Sequence, residues 1–146
     1  MQTRPITPAD IPRLAAIFVE VFNAPPWQDG WTLETAIERL EALAANPHSR
    51  GFAIWEQDQP LGFALGARER WNDGWFFSLR ELCIARSRQR EGVGRRLIDA
   101  MCADLLEEGI SSINLQTGLD APAHSFFAKL GFSEMPLVTM GKLLGH

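Results

Sequence analysis

The segment that most constrains the fold changes from an extended to a helical pattern across two glycines. Residues 75–84 read as a strand, and apolar residues recur at helical spacing over 93–105. Gly92 and Gly94 lie at the junction and have no side chain to block approach to the backbone. The free N–H groups that open such a helix, with the positive end of its dipole behind them, form a binding site for an anion such as phosphate.

Further segments of both kinds flank this junction. Helical spacing predicts helices over residues 7–22, 32–46 and 121–130, and extended patterns predict strands over 51–56, 61–65, 110–117 and 137–144. Thr7 and Thr32 are placed to cap the first two helices, and Gly109 is placed to end the third. Helices and strands in this order predict a mixed α/β fold, in which one sheet is covered by helices on both faces.

Length and composition limit the class of protein. With 146 residues, 46% of them apolar and 22% charged, the chain is predicted to form one globular domain over 1–146. No apolar run approaches the ~20 residues that span a bilayer, and the first residues lack the pattern of a secretion signal. We therefore expect a cytoplasmic protein with no membrane partner. The formal net charge of −4 argues against nucleic acid as the main partner and favours a cationic substrate.

The two cysteines give no indication of a metal site. Cys83 and Cys102 lie in apolar periodic segments, without the paired spacing of a zinc site or the context of a secreted disulfide framework. We expect both to be buried thiols.

Positive charge is concentrated around the glycines of this otherwise acidic chain. The arginines concerned are Arg86, Arg88, Arg90, Arg95 and Arg96. Neither the three spaced glycines of a dinucleotide site nor the lysine of a phosphate loop is present, so a different phosphate ligand is expected. The alternative is that the glycines only shape a tight turn and the arginines form a solvated helix face.

Two motifs resemble the signatures of one family. Residues 89–94, Gln-Arg-Glu-Gly-Val-Gly, resemble the Q/R-x-x-G-x-G/A signature with which GNAT N-acetyltransferases bind the pyrophosphate of acetyl-coenzyme A. Residues 120–132 resemble the family's second signature, N-x-x-A-x-x-x-Y-x-x-x-G-F, on the helix beside the cofactor. The resemblance extends from about residue 3 to residue 144. It implies the single-domain acyl-coenzyme A N-acyltransferase fold, whose twisted central sheet is mixed but mostly antiparallel, with helices on both faces.

The resemblance also implies where acetyl-coenzyme A binds. Backbone groups at the end of one strand would contact the pantetheine arm, in a splay between two strands: Leu82, Cys83 and Ile84. The phosphates would be held by the loop of Gln89, Arg90, Glu91, Gly92, Val93, Gly94 and Arg95. Within the second signature, the residues beside the cofactor would be Asp120, Phe126 and Phe127.

Glu81 is the candidate general base. Transfer of an acetyl group to an amine requires a neutral nucleophile, so an ammonium substrate must lose a proton. Glu81 lies within an apolar strand just before the glycine loop, where burial would raise the pKa of its carboxyl group. The family often has a carboxylate at this place. The alternative is an ion pair of Glu81 with Arg80 or Arg68, or a solvated position at a strand edge.

At the position of the residue that would protonate the leaving thiolate, this sequence differs from the family pattern. The usual tyrosine aligns with Phe127, which cannot donate a proton, and the chain contains no tyrosine. The candidates that remain are His124, Ser125 and solvent. His124 lies three residues before Phe127 on the same predicted helix, although a surface histidine without a role is the alternative. A thiolate is a tolerable leaving group near neutral pH, so a dedicated acid is not required.

In the family that the chain resembles, acceptor specificity usually comes from the loop between the first two helices and from the strands facing the thioester, which correspond here to residues 23–31 and 67–75. They combine aromatic faces with carboxylates, as a cationic amine would require. The candidate residues are Trp27, Trp31, Glu69, Trp71 and Asp73, with Asp29 and Trp75 in the same segments. The tryptophans could instead close the core, and exposed ones could serve a homodimer contact.

The second segment resembles the aminoglycoside 6′-N-acetyltransferase-like branch of the superfamily. That resemblance implies a polycationic amino sugar or a metabolic amine as the acceptor, with polyamines, amino-acid derivatives and protein N-termini left open. The competing hypothesis from a different class is a non-catalytic acyl-coenzyme A-binding or sensor module, which the missing tyrosine suggests.

Overall fold

The structure, a computed structural model, describes residues 1–145. Its internal contacts group the chain into two units, residues 1–116 and the segment that begins at Thr117. The prediction of one domain over 1–146 stays a prediction. No helix of the described residues is both long and apolar enough to cross a membrane.

The first unit is built on a five-stranded sheet. Its strands are β1 (Gln2–Pro5), β2 (Ser49–Glu56), β3 (Gln59–Trp71), β4 (Gly74–Ile84) and β5 (Ile113–Leu115). They lie in the order β1-β2-β3-β4-β5, and all neighbours are antiparallel except β4 and β5, which are parallel. The predicted mixed, mostly antiparallel sheet is confirmed.

Three helices of the first unit cover the sheet: α1 (Ile11–Phe22), α2 (Leu33–Ala44) and α3 (Val93–Glu107). The buried faces of α1 and α2 share one core cluster with alternate strand residues, among them Ala53, Phe63 and Cys83. The strand residues between these point to the other face, where α3 packs against β2, β3 and β4. The prediction of helices on both faces is therefore confirmed.

The predicted cap is present at the start of α2 but not at the start of α1. At α2, the Thr35 N–H donates to the hydroxyl of Thr32 at 3.0 Å, so Thr32 is the predicted cap. At the first helix, the N–H of Thr7 donates to Asp10 at 2.8 Å and closes a short 3₁₀ turn over Pro8–Asp10. The α-helix itself begins only at Ile11.

The pairing of β3 with β4 contains an irregularity that positions one carboxylate. Leu65 lies opposite Glu81, but the next residue, Gly66, lies opposite Leu79, so Arg80 is an extra residue on β4. Such a bulge bends the strand and redirects the side chains beside it. The two strands are so close here that a Cβ atom on Gly66 would overlap the carbonyl oxygen of Ser78.

In the first unit, two strand predictions are corrected. The strand at Gln2–Pro5 was missed, because four residues are too few to establish an alternating pattern. The strand predicted over 110–117 is paired only at Ile113–Leu115. The segment 67–75, expected to belong to strands, forms the end of β3, a turn and the start of β4.

The strand predicted over 137–144 is wrong, since those residues form neither helix nor strand. Their apolar side chains are exposed, with 72% of Leu137 and 87% of Met140 accessible to solvent. Within its described residues, 117–145, the second unit instead contains one helix, α4 (Pro122–Lys129).

Candidate active site

Glu81 lies on β4 beside the bulge, with only 14% of its side chain exposed. It is paired with Arg39 of α2, whose Nε and Nη2 donate to the same carboxylate oxygen, Oε1, at 3.1 and 2.9 Å. The predicted alternative of an ion pair with Arg80 or Arg68 is therefore corrected, because the partner comes from a helix 42 residues earlier in the sequence.

Burial raises the pKa of the Glu81 carboxyl group above its ordinary value. The loss of hydration is the largest cause, and the negative charge of Asp29 adds to it. The hydrogen bonds and charge of Arg39 oppose the shift, as does the charge of Arg80. The direction agrees with the expectation of a pKa raised by burial, and a higher pKa makes the carboxylate a stronger proton acceptor.

The loop between α1 and α2 is held by the side chain of Asn23. Its Nδ2 donates to the carbonyl oxygen of Trp31 at 2.8 Å, and its Oδ1 accepts the Trp31 N–H at 2.7 Å. The indole N–H of Trp31 in turn donates to Asp29 Oδ2 at 3.2 Å. The loop therefore fixes Asp29, the carboxylate that acts on Glu81.

Two predicted acceptor residues in this loop pack onto α1. The ring of Trp31 lies 5.0 Å from that of Phe18, and the ring of Trp27 lies 5.2 Å from that of Phe22. Trp27 keeps 38% of its surface exposed, so part of this aromatic residue is accessible to a cationic ligand.

The other predicted acceptor residues lie at the far end of the sheet. Glu69 and Trp71 are at the C-terminal end of β3, and Asp73 is in the turn that joins β3 to β4. From the start of β4 at Gly74 to Glu81 the strand extends about 24 Å, at ~3.4 Å per residue. The structure therefore places Asp29, which Trp31 contacts, where its charge acts on Glu81, and it separates the hairpin residues from Glu81.

Arg39 and Asn23 are the site residues that sequence reasoning missed. Arg39 is the one cation in a helix that also carries Glu34, Glu38 and Glu41. A single cation among carboxylates could have marked Arg39 as a candidate site residue. Its partner, Glu81, is too distant in the sequence to be inferred from spacing.

The edge of β4 that faces β5 is paired over only part of its length. The parallel pairing joins Phe77 to Ile113 and ends at Leu79 with Leu115. Within residues 1–116, the β5-facing edge of β4 from Arg80 to Ile84 has no strand partner. The backbone groups on this edge, beside Leu82, Cys83 and Ile84, are those that an extended polar ligand would need, and the splay itself stays a prediction.

The glycine loop opens α3 as the sequence predicts. Gly92 precedes the first helical residue with φ of 80°, a left-handed conformation that favours glycine. The first N–H groups of α3, from Val93, have no carbonyl a turn earlier in the helix, which leaves them free to bind an anion. Arg90 is also left-handed, with φ of 65°.

Several loop side chains have structural partners. The Gln89 side-chain N–H donates to the carbonyl oxygen of Ile84 at 2.9 Å, which ties the loop to the end of β4. Arg88 donates to Glu56 at 2.8 Å and to Glu91 at 3.0 Å, and these bonds raise the pKa of the guanidinium. Of the arginines predicted to provide positive charge for phosphate, Arg88 is therefore already paired with carboxylates. Arg90, Arg95 and Arg96 are exposed.

The second unit holds the remaining predicted residues. Asp120 precedes α4, on which Ser125 is exposed and Phe126 is half-buried. Phe127 is buried, and its ring lies 5.2 Å from Phe126 and 5.3 Å from Phe132. His124 Nε2 lies 2.9 Å from Glu134 Oε1, so this histidine has a carboxylate partner.

The fold and this arrangement define an α/β protein with a glycine loop at the start of one helix and a mostly buried carboxylate on one strand. Residues 14–132 match the model of the acetyltransferase (GNAT) family, and the chain belongs to that family. The family uses acetyl-coenzyme A. The unpaired edge of β4 and the N–H groups that open α3 fit the pantetheine and diphosphate parts of that molecule.

Solved structures agree with the fold. A possible acetyltransferase from Clostridium difficile 630 superposes with a TM-score of 0.85 at 13% identity, over 99% of this chain and 98% of that one. The aminoglycoside acetyltransferase meta-AAC0020 from an uncultured soil metagenomic sample, solved with trehalose, gives 0.77 at 19% identity, over 98% and 95%. A transcriptional regulator from Bacillus halodurans C-125 gives 0.79 at 14% identity, over 97% and 99%.

Proposed function

We propose that this chain is an N-acetyltransferase that transfers the acetyl group of acetyl-coenzyme A to a primary amine of a small, cationic acceptor. The observation that carries the proposal is Glu81, a carboxylate with a pKa raised by burial on the strand that leads into the glycine loop. Acetyl-coenzyme A, when bound, supplies the acetyl group as a thioester.

The residues of this chain would have two roles, binding of acetyl-coenzyme A and removal of a proton from the acceptor. The N–H groups from Val93 to Arg95 would bind the diphosphate, and the β4 edge at Leu82, Cys83 and Ile84 would bind the pantetheine arm. Glu81 takes a proton from the acceptor ammonium, directly or through one water, and leaves a neutral nitrogen that can attack. Both reactants are held in one ternary complex, so that the attack is effectively unimolecular.

The charges around Glu81 support a cationic acceptor. Asp29 lies close enough to act on the Glu81 carboxyl group, and Trp27, in the same loop, is partly exposed. Aromatic faces and carboxylates together attract organic cations. The aminoglycoside acetyltransferase of similar fold was also solved with sisomicin, which supports an aminoglycoside-like or metabolic amine. Glu69, Trp71 and Asp73 stay predictions.

The assay that tests the proposal is release of the coenzyme A thiol with a panel of small amines, with the acetylated amine identified by mass spectrometry. Acceptor-dependent thiol release supports it. Binding of acetyl-coenzyme A with no turnover across the panel would instead support the non-catalytic binding module, which Phe127 at the tyrosine position favours.

Substitution of Gly92 by alanine is expected to weaken acetyl-coenzyme A binding by about tenfold, or ~1.4 kcal/mol. A Cβ atom at a left-handed φ strains the turn, and it lies beside the N–H groups that open α3. Calorimetric titration measures the dissociation constant.

The matched control is Gly109→Ala at the other end of α3. Gly109 is also left-handed, with φ of 85°, and both positions have nothing within 4 Å of an added Cβ atom. The control should lose similar stability and keep its affinity. Equal affinities of the two variants would mean that the start of α3 does not bind the diphosphate.

Phe127→Tyr is expected to change kcat much less than Glu81→Gln. A thiol of pKa about 8.5 leaves without a dedicated acid near neutral pH, so a restored hydroxyl has little to add. The ring is buried among Phe126 and Phe132, so the variant is compared by thermal melting before its kcat is measured. A large gain in kcat would show that protonation of the thiolate limits the reaction.

A further inference from the structure

The ion pair between Arg39 and Glu81 uses only one oxygen of the carboxylate. Arginine commonly binds a carboxylate with two parallel hydrogen bonds, one to each oxygen. Here Nε and Nη2 both donate to Oε1, at 3.1 and 2.9 Å. Within residues 1–145, no hydrogen bond is donated to Oε2. The carboxylate is therefore held by one oxygen while the other remains available.

Arg39 is itself held in place by the core. It lies in the middle of α2, between Ala36 and Leu40, which have 0% and 1% of their surface exposed. The start of that helix is fixed by the Thr32 cap. Because the helix cannot shift without opening the core, the Arg39 side chain constrains Glu81 more firmly than a mobile surface residue would.

The other charges near Glu81 do not replace Arg39. Asp29, in the loop before α2, opposes ionisation of Glu81, and Arg80 on the same strand favours it but is exposed. Cys83 faces the same core, and burial, with the charges of Glu81 and Glu20, raises the pKa of its thiol well above the ordinary value. That thiol is therefore neutral and contributes no compensating charge.

We propose that Arg39 is a positioning residue, which holds Glu81 through Oε1 and leaves Oε2 as the oxygen that accepts the proton of the acceptor ammonium. This inference rests on the proposed function. In the step, the N–H bond of the ammonium breaks and an O–H bond forms on Oε2. The nitrogen keeps the electron pair with which it attacks the thioester.

The first test is the pH profile of kcat/KM in Arg39→Met. The ionised form of Glu81 is the active base, and Arg39 favours that form. Removing the Arg39 guanidinium must therefore raise the pKa of Glu81. The acid limb of the profile, the low-pH range over which kcat/KM rises as Glu81 ionises, then moves to higher pH. At a pH on that limb, kcat/KM should fall by about tenfold, the effect of losing one adjacent opposite charge. The KM for acetyl-coenzyme A should not change. An acid limb that coincides with the wild-type limb would overturn the inference.

Two further variants separate positioning from charge and from general stability. Arg39→Lys keeps the positive charge but loses the two-donor geometry. Its acid limb should therefore return to the wild-type pH, while its kcat stays below that of the wild type. Full recovery of kcat would overturn the positioning role. Arg50→Met is the matched control, because Arg50 pairs with Glu108 at 2.8 Å and is 31% exposed, against 32% for Arg39. It should leave the profile unchanged.

A titration by carbon NMR keeps this inference separate from the proposed function. The side-chain carboxyl signal of Glu81, assigned by its loss in Glu81→Gln, should titrate at higher pH in Arg39→Met than in the wild type. Absence of turnover in the wild-type protein would refute the proposed function. An unchanged titration midpoint would refute the role of Arg39, even in a protein that acetylates amines.

Discussion

Glu81→Gln is expected to lower kcat/KM for the amine acceptor by about 10²–10⁴-fold, the contribution of a positioned general base. Glutamine has nearly the same shape and its carbonyl oxygen can still accept from Arg39, so the fold and the hydrogen bonds from Arg39 should change little. It cannot accept the proton of an ammonium. Steady-state kinetics with the best amine of the panel measure the loss, and acetyl-coenzyme A affinity should be unchanged.

The size of this loss should depend on pH. Raising the pH increases the free-amine fraction of the acceptor in solution, so the difference between wild type and variant should narrow. Glu108→Gln is the control, because Glu108 also accepts from an arginine but lies at the end of α3. A Glu81→Gln protein with wild-type kcat/KM at neutral pH would show that another group, or solvent, removes the proton.

Gly66→Ala is expected to cost about 3 kcal/mol of unfolding free energy, at the upper end of the range for overpacked cores. The added Cβ atom would overlap the Ser78 carbonyl oxygen, which belongs to the paired backbone and cannot move aside like a flexible side chain. Denaturation by urea measures the change. Acetyl transfer should fall as well, because Gly66 lies opposite Leu79 at the bulge before Glu81.

Gly141→Ala is the matched control for stability. A Cβ atom at Gly141 has nothing within 4 Å, so its replacement should stay within about 0.5 kcal/mol of the wild type. If Gly66→Ala were as stable as this control, the close approach of β3 and β4 would be wrong, and with it the position assigned to Glu81.

The parts of the fold that sequence predicts best are those with local signals. The apolar spacing of α3 and the glycine before it fix the start of that helix, and the position of Thr32 between a loop and an apolar repeat fixes the start of α2. These signals lie within one or two turns of the structure that they specify. The strand–loop–helix junction could therefore be located from the sequence.

The parts that sequence could not predict depend on distant partners. The pairing of Glu81 with Arg39 joins residues 42 positions apart, so no spacing rule contains it. The bulge at Arg80 arises from the register of two strands rather than from any residue in one of them. The apolar segment after Met135 shows the converse, since a strand-like composition does not make a strand without a pairing partner.

Acetyl transfer that depends on an added amine is the decisive measurement for this protein. The wild-type protein is incubated with acetyl-coenzyme A and a panel of mono-, di- and polycationic amines, and both the free thiol and the acetylated amine are quantified. We expect equal amounts of the two products, formed faster with cationic acceptors and nearly lost in Glu81→Gln. Saturable binding of acetyl-coenzyme A with no acetylated amine from any acceptor would contradict the proposed function.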